Sequence, residues 1–244
     1  MCRALDGADA IVHLAALVGY PACCGEPMLA ASINVEGTGM LLHVRQPDQQ
    51  LIFASTGSIY GAVRDIVCTE ETPQRPMTLY GETKAAAETL VLEAGNCVSF
   101  RYATAFGVSP RMRLDLLLND FTFQAVRTGA LNVYESGFRR TFVHVRDMAR
   151  SLAFALERFD DLTDEVFNVG DESLNLSKAE VAERIRRQVA YDLMFTETGA
   201  DPDLRDYEVS YAKIRATGFA TTVGLDAGIA ELICAARLLR QRHE

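Results

Sequence analysis

Short apolar runs recur along this chain with helix-period segments between them, and that alternation restricts the fold more than any other feature. Ile11-Val12-His13-Leu14-Ala15-Ala16 is the first run, Leu51 to Ala54 the second, Val98 to Arg101 the third and Val166-Phe167-Asn168-Val169-Gly170 the last. Runs this short, and apolar on both faces, suit strands buried in a parallel sheet. Helical patterns separate them, at Met28 to Val44, Tyr80 to Ala94 and Asp147 to Glu157. The expected class is therefore α/β, with a mainly parallel, doubly wound sheet. Ligands in such sheets bind beyond the carboxyl ends of the strands. Those ends are Leu14-Ala15-Ala16 with the loop Val18 to Gly25, and Thr56-Gly57-Ser58.

The chemistry concentrates at Leu79-Tyr80-Gly81-Glu82-Thr83-Lys84. A tyrosine four residues before a lysine, where a helical pattern begins, puts phenol and ammonium on one helix face. A free phenol has a pKa of about 10 and is a weak base at neutral pH, so a nearby positive charge is needed to favour phenolate. Lys84 is expected to supply it. The hydroxyl of Thr56 can hydrogen-bond the same substrate oxygen that Tyr80 deprotonates. Together the three residues can take a proton from an alcohol while hydride leaves its carbon. Tyrosine and lysine at this spacing also occur on ordinary helices, so the motif gains meaning only from its surroundings.

Those surroundings are ordered. The run Ile11 to Ala16, then Asn34-Val35-Glu36-Gly37-Thr38, then Phe53-Ala54-Ser55-Thr56-Gly57-Ser58-Ile59-Tyr60-Gly61, then Tyr80 and Lys84, follow one another with short helical connections. From about Gly7 to about Leu232 the chain resembles the extended short-chain dehydrogenase/reductase family, the nucleotide-sugar epimerases and dehydratases. The resemblance implies a Rossmann-like fold, NAD as cofactor with NADP left open, a nucleotide-diphosphate sugar as substrate, and a homodimer formed by the helices Met28 to Val44 and Tyr80 to Ala94. It also implies Thr56, Tyr80 and Lys84 as catalytic residues. Leu14, Ala15, Ala16, Asn34, Tyr80 and Lys84 would lie against the cofactor. Asn34 reads equally as a helix asparagine bonded to a neighbouring loop.

The family's sheet opens with a strand and G-x-x-G-x-x-G, whose backbone approaches the cofactor pyrophosphate. That motif does not occur in this sequence. The resemblance implies two β-α units of about 30 residues each ahead of Met1, so the chain reads as an N-terminally truncated copy or as one whose start is misplaced, and as it stands it is expected to bind NAD weakly or not at all. Met1 to Ala8 reads as a helix end. Residues 1–109 and 141–170 are expected to form the dinucleotide-binding domain, and 110–140 with 171–244 a smaller substrate domain.

The second half carries the anion-binding candidates. Arg139-Arg140-Thr141-Phe142-Val143-His144-Val145-Arg146-Asp147 is similar to the family's R-D-F-(V/I)-x-V-x-D run, with Thr141 in place of the first Asp. Arg140 is the candidate diphosphate clamp, because a guanidinium makes bidentate contacts to phosphate; a surface ion pair is the plainer alternative. Asn119, in an amphipathic pattern from Asp115 to Arg127, and Arg205, in the polar loop Asp201 to Tyr207, match substrate positions of relatives. Thr56 is expected to touch substrate as well. Asp147 reads as a helix N-cap and Ser177 with Glu180 as a capping box, while Ser210 to Thr217 and Asp226 to Gln241 read as closing helices.

Composition limits the alternatives. A net charge of −9 without a lysine/arginine cluster argues against nucleic acid or anionic membrane as partner. No apolar run reaches the ~18 residues of a membrane span, and a cytoplasmic location is expected. The six cysteines contain no C-x-x-C, so reduced thiols are expected and no metal site. His13 reads as a core histidine, and Cys23-Cys24 as small-residue packing or as an acid/base beside the cofactor.

The leading functional reading is a nucleotide-sugar epimerase or related oxidoreductase acting through a 4-keto sugar. The resemblance narrows it at one point. Hexose 4,6-dehydratases carry an Asp-Glu pair just after the hydroxyl residue, where this chain has Gly57 and Ser58. The other reading, favoured by the missing glycine turn, is a non-catalytic or fragmentary member that keeps the fold.

Overall fold

The computed structural model describes residues 5–197 and 205–241, without the side chains at 64, 65, 240 and 241. The expected helix end over Met1 to Ala4, and residues 201–204 of the expected polar loop, lie outside the described residues. Strand β1 (Ala10–His13) leads into helices α1 (Tyr20–Gly25), α2 (Pro27–Ala31) and α3 (Gly37–Val44), then strands β2 (Gln50–Thr56) and β3 (Ala62–Cys68). Helix α4 (Leu79–Ala94) precedes β4 (Cys97–Tyr102), β5 (Thr104–Phe106), α5 (Leu117–Thr128), β6 (Ala130–Tyr134) and β7 (Arg139–His144). Then come α6 (Val145–Glu157), α7 (Phe159–Leu162), β8 (Glu165–Val169), β9 (Asn175–Ser177), α8 (Lys178–Arg186), β10 (Asp192–Thr196), β11 (Asp206–Val209), α9 (Ala212–Ala216) and α10 (Leu225–Gln241).

The main sheet has the order β1-β2-β4-β8 and is parallel throughout. Its inner strands are apolar on both faces because helices cover both, and Leu51, Ile52, Phe53, Val98 and Phe100 are fully buried. The mainly parallel Rossmann-like α/β class is thus the one the alternation predicts. β2 and β4 end together, with Thr56 opposite Tyr102. A second core lies under α5, α8 and α10, built from residues such as Phe106, Leu118, Phe142, Val181, Ile229 and Leu232. Smaller sheets flank it: β5-β7-β9, β10-β6 and β11-β3.

Three local expectations change. The pattern from Met28 to Val44 is interrupted by a π-helical turn at Ser32–Glu36, where Gly37 N donates to Ser32 O. The turn makes room for Asn34, whose buried side chain is needed elsewhere, and single π-turns of this kind are frequent at functional sites. Asp147 is not the N-cap of α6: His144 caps it, Nδ1 accepting from Arg146 N at 3.2 Å. Asp147 instead sits in the first turn and accepts from the backbone of Thr222 and Val223 at 3.0 and 2.9 Å. The end of the expected polar loop, Asp206–Val209, is a strand paired in parallel with β3. The capping box of Ser177 and Glu180 is formed as read. The described cysteines 23, 24, 68, 97 and 234 are free thiols.

Candidate active site

Two turns bring Thr56 and Tyr80 together. Thr56 ends β2 and caps the short 3-10 turn Gly57–Tyr60, its Oγ1 accepting from Ser58 N at 3.1 Å. Thr78 caps α4 in the same way, accepting from Gly81 N at 3.1 Å. Gly81 has no side chain because a Cβ there would come within 3.0 Å of Ser58 O and Pro76. That close approach seats the first turn of α4 on the end of β2, and the Tyr80 phenol hydrogen-bonds the Thr56 side chain.

Burial raises the Tyr80 pKa above its ordinary value, and four interactions modify that rise. The Thr56 hydrogen bond and the positive charges of Arg205 and Arg113 lower it, in that order, and Cys23 adds a small increase. The main cationic influence on the phenol therefore comes from two arginines far away in sequence, whereas the spacing alone nominates Lys84. Arg205 Nη1 donates to Ser58 Oγ at 2.5 Å. Arg113 Nη1 donates to Val18 O at 3.0 Å, and its guanidinium lies where a Cβ on Gly19 (φ 94°) would stand.

Lys84 is 3% exposed, with its ammonium 3.9 Å from the centroid of the Phe53 ring. Loss of water lowers its pKa from 10.5 to about 8, against an opposing pull from Glu88. It stays mostly protonated at pH 7. The His13 ring lies tilted against Phe53, centroids 5.7 Å apart, and bonds Thr38 Oγ1 at 3.0 Å. Burial, and then the Lys84 charge, push His13 down to about 4. It is a neutral histidine bonded within the protein, and it lines neither cleft.

A cleft of about 360 Å³ opens over these groups, lined by Leu14 and Ala16 from the tip of β1, Thr56, Ser58, Tyr80, Lys84 and Tyr102. A second, of about 500 Å³, adjoins it and is lined by Arg140, Lys178, Asn132 and Tyr134. Gly19, Tyr20, Thr104, Arg113, Leu116 and Arg205 line both. One continuous groove thus runs from the Tyr80 hydroxyl to the Arg140 guanidinium.

Three of the nominated residues, Asn34, Asn119 and Ala15, line neither cleft. Asn34 gives its carboxamide to the protein: Oδ1 accepts from Leu17 N at 2.7 Å, and Nδ2 donates to Leu17 O and Thr83 Oγ1, each at 3.0 Å. It ties the loop after β1 to α4. Asn119 accepts from Gly107 N at 3.1 Å and donates to Arg113 O at 2.9 Å, so it shapes the backbone that presents Arg113. Ala15 is exposed but outside the cleft lining. Arg113 and Lys178 are among the cleft residues the sequence did not single out. Arg113 carries no local signal, since only the fold brings it to Val18.

The profile of the NAD dependent epimerase/dehydratase family matches residues 1–170. The chain belongs to this family. Among its epimerase/dehydratase relatives, the low-salt glycan biosynthesis protein Agl12 of Haloferax volcanii is 29% identical over 231 residues, covering 91% of this chain and 73% of that protein. UDP-glucose 4-epimerase 2 of Arabidopsis thaliana is 28% identical over 188 residues, 66% of this chain and 54% of its own length, so the chain spans little more than half of that relative. The solved UDP-glucose 4-epimerase of Thermus thermophilus, complexed with NAD, superposes with a TM-score of 0.80 at 26% identity, covering 97% of this chain and 80% of that one. None of the described helices of this epimerase/dehydratase member is long and apolar enough to cross a membrane.

Proposed function

We propose that the chain acts as an NAD-dependent nucleotide-sugar epimerase working through a 4-keto sugar. The observation that carries this reading is the convergence of Thr56, Tyr80 and Lys84 on one cleft that continues, past Arg113 and Arg205, to Arg140. The cleft suits a nicotinamide. Ser55 Oγ and Thr104 Oγ1 are buried in its wall with no partner in the protein, and Leu14, 57% exposed, offers an apolar face. Leu14, Ala16 and Lys84 would lie against the ring and its ribose. When bound, the cofactor supplies the hydride acceptor and a positive charge.

The chain's own residues do the rest. Tyr80 takes the proton of the sugar hydroxyl as base and returns it as acid. Burial raises its pKa, so positive charge beside the phenol would be needed for it to act as the base. Thr56 holds the oxygen in line by hydrogen bonding. Arg140, with Lys178 and Arg205 nearby, would hold the diphosphate. Gly57 and Ser58 bring no carboxyl group to the sugar, which favours epimerisation over loss of water. A homodimer through α2, α3 and α4 is part of the same reading, in keeping with exposed Met28 and Met40; a monomeric mass in solution would count against it.

The test is to mix the protein with NAD and UDP-, GDP-, CDP- or dTDP-linked hexoses, following nicotinamide absorbance and the sugar's proton spectrum. One sugar should give its 4-epimer. Tight sugar-nucleotide binding without any hydride transfer would favour the second reading, a non-catalytic member.

A further inference from the structure

Beneath Lys84, on the same face of α4, lies a carboxylate that the chemistry above does not use. Residues 80, 84 and 88 follow one another at four-residue spacing, about 6 Å per step along the axis. Glu88 is fully buried. Its Oε1 accepts from Arg101 Nη2 at 2.7 Å and from Gln74 Nε2 at 2.9 Å. Its Oε2 accepts from Ser99 Oγ at 3.0 Å, and Arg101 Nε reaches both oxygens at 3.0 and 3.2 Å. Arg101 Nη1 goes on to Tyr60 Oη and Glu70 O, each at 3.0 Å, and Tyr60 donates to Asn168 Oδ1 at 2.7 Å. The carboxylate is thus fixed to β4, to β8 and to the turn after β2.

A buried ion pair is a poor device for stability, because an apolar pair of the same volume often serves as well or better. Its place one helical turn below a buried lysine gives it another use. We propose that Glu88, held by Arg101, is a positioning residue that anchors Lys84 as an ammonium group at the floor of the cleft. Of the groups around that ammonium, His13 on β1 is neutral and Tyr80 carries a protonated phenol, while Glu88 supplies the opposing negative charge. Arg101 faces Glu88 from β4, and Arg113 and Arg205 act on the phenol from the far side of the cleft. The proposal rests on reading Lys84 as the cation of the site.

The chain has three lysines, Lys84, Lys178 and Lys213, so lysine labelled at Cε with carbon-13 gives a spectrum that Lys84→Arg assigns at once. In the unmodified protein Lys84 should titrate near pH 8. Glu88→Gln should move that midpoint down by about one pH unit or more, the effect of an opposite charge at close range. Glu88→Asp, which disturbs packing but keeps the charge, should leave it near its original value. If Glu88→Gln does not fold, the double variant Glu88→Gln/Arg101→Met, with neither charge left alone, should fold and still show the lower midpoint. A folded Gln variant whose Lys84 titrates where it did before overturns the proposal, as does a Lys84 that titrates near 10.5 in the unmodified protein. Nicotinamide turnover is read separately: a midpoint that moves in a protein without turnover supports the anchor and refutes the function, and an unmoved midpoint in an active enzyme refutes the anchor alone.

Discussion

Helix α4 borders two polar regions, and they are built on opposite terms. At its first turns the cleft leaves polar groups incompletely matched: Lys84 has an aromatic face for company, and Ser55 and Thr104 have buried hydroxyls without partners. One turn further, the Glu88–Arg101 region satisfies each oxygen of the carboxylate more than once. A folded chain tolerates unmatched buried polar groups where a ligand completes them, and elsewhere it pairs them. The difference separates what the protein holds ready from what holds the protein together. Substitutions in the first region should cost activity and leave the fold, and those in the second should cost stability, touching activity only through the charge of Lys84.

The largest effect expected is that of Tyr80→Phe. Removing a positioned base lowers the hydride step by ~10²–10⁴-fold, while loss of one hydrogen bond to Thr56 changes stability by about 1 kcal/mol. Nicotinamide absorbance in single turnover and a denaturant melt read the two separately. Arg101→Met should act chiefly on stability. It strands the Glu88 carboxylate with no exposure to water, and a buried charge left alone destabilises by about 3–5 kcal/mol. Adding Glu88→Gln should recover most of that loss. A stable Arg101→Met protein would erase the distinction between the regions.

That distinction was only half legible in the sequence. The strands were visible because they are short and apolar, and the Tyr80–Lys84 spacing was visible because a helix relates residues four apart by geometry alone. What stayed hidden depends on partners far along the chain. Nothing near Arg113 says that its guanidinium will reach Val18 and lie along the groove, since 95 residues separate the two. Asn34 carried two readings, and its bonds to Leu17 and Thr83 make it a tie between loop and helix. The β3–β11 pairing was missed for the same reason: two short strands so far apart in the chain pair only when the fold has brought them side by side.

Lys84→Met sharpens the comparison in the next measure. The Lys84 pKa is lower in the folded than in the unfolded chain, so the unfolded state holds the proton more tightly and the folded state is penalised below pH 8. The penalty fades as pH rises from about 8 towards 10.5. At about 1.4 kcal/mol per pH unit, Lys84→Met should be more stable than the parent by about 3 kcal/mol at pH 7, with the advantage lost near pH 10.5. It should also lose turnover. His13 should titrate above its present value of about 4, because the Lys84 charge is one cause of that low value. A Met variant less stable than the parent at pH 7 would mean that Lys84 belongs to the scaffold.

The smallest effect belongs to Thr56, which stands in both regions at once. Its Oγ1 caps the 3-10 turn that leads to Tyr60, and Tyr60 is part of the Arg101 network. The same oxygen bonds the Tyr80 phenol. Thr56→Ala therefore removes a cap, worth about 0.5–2 kcal/mol of stability, and a hydrogen bond to the substrate oxygen. The two losses are separable because Thr56→Ser keeps the oxygen and drops only the methyl group. Thr56→Ser should retain the cap and most of the turnover. Thr56→Ala should lose roughly tenfold in turnover, about 1.4 kcal/mol at the transition state, with a small fall in denaturation midpoint. If the serine variant loses as much turnover as the alanine variant, the Thr56 oxygen has no part in the reaction, and its place beside Tyr80 serves the turn alone.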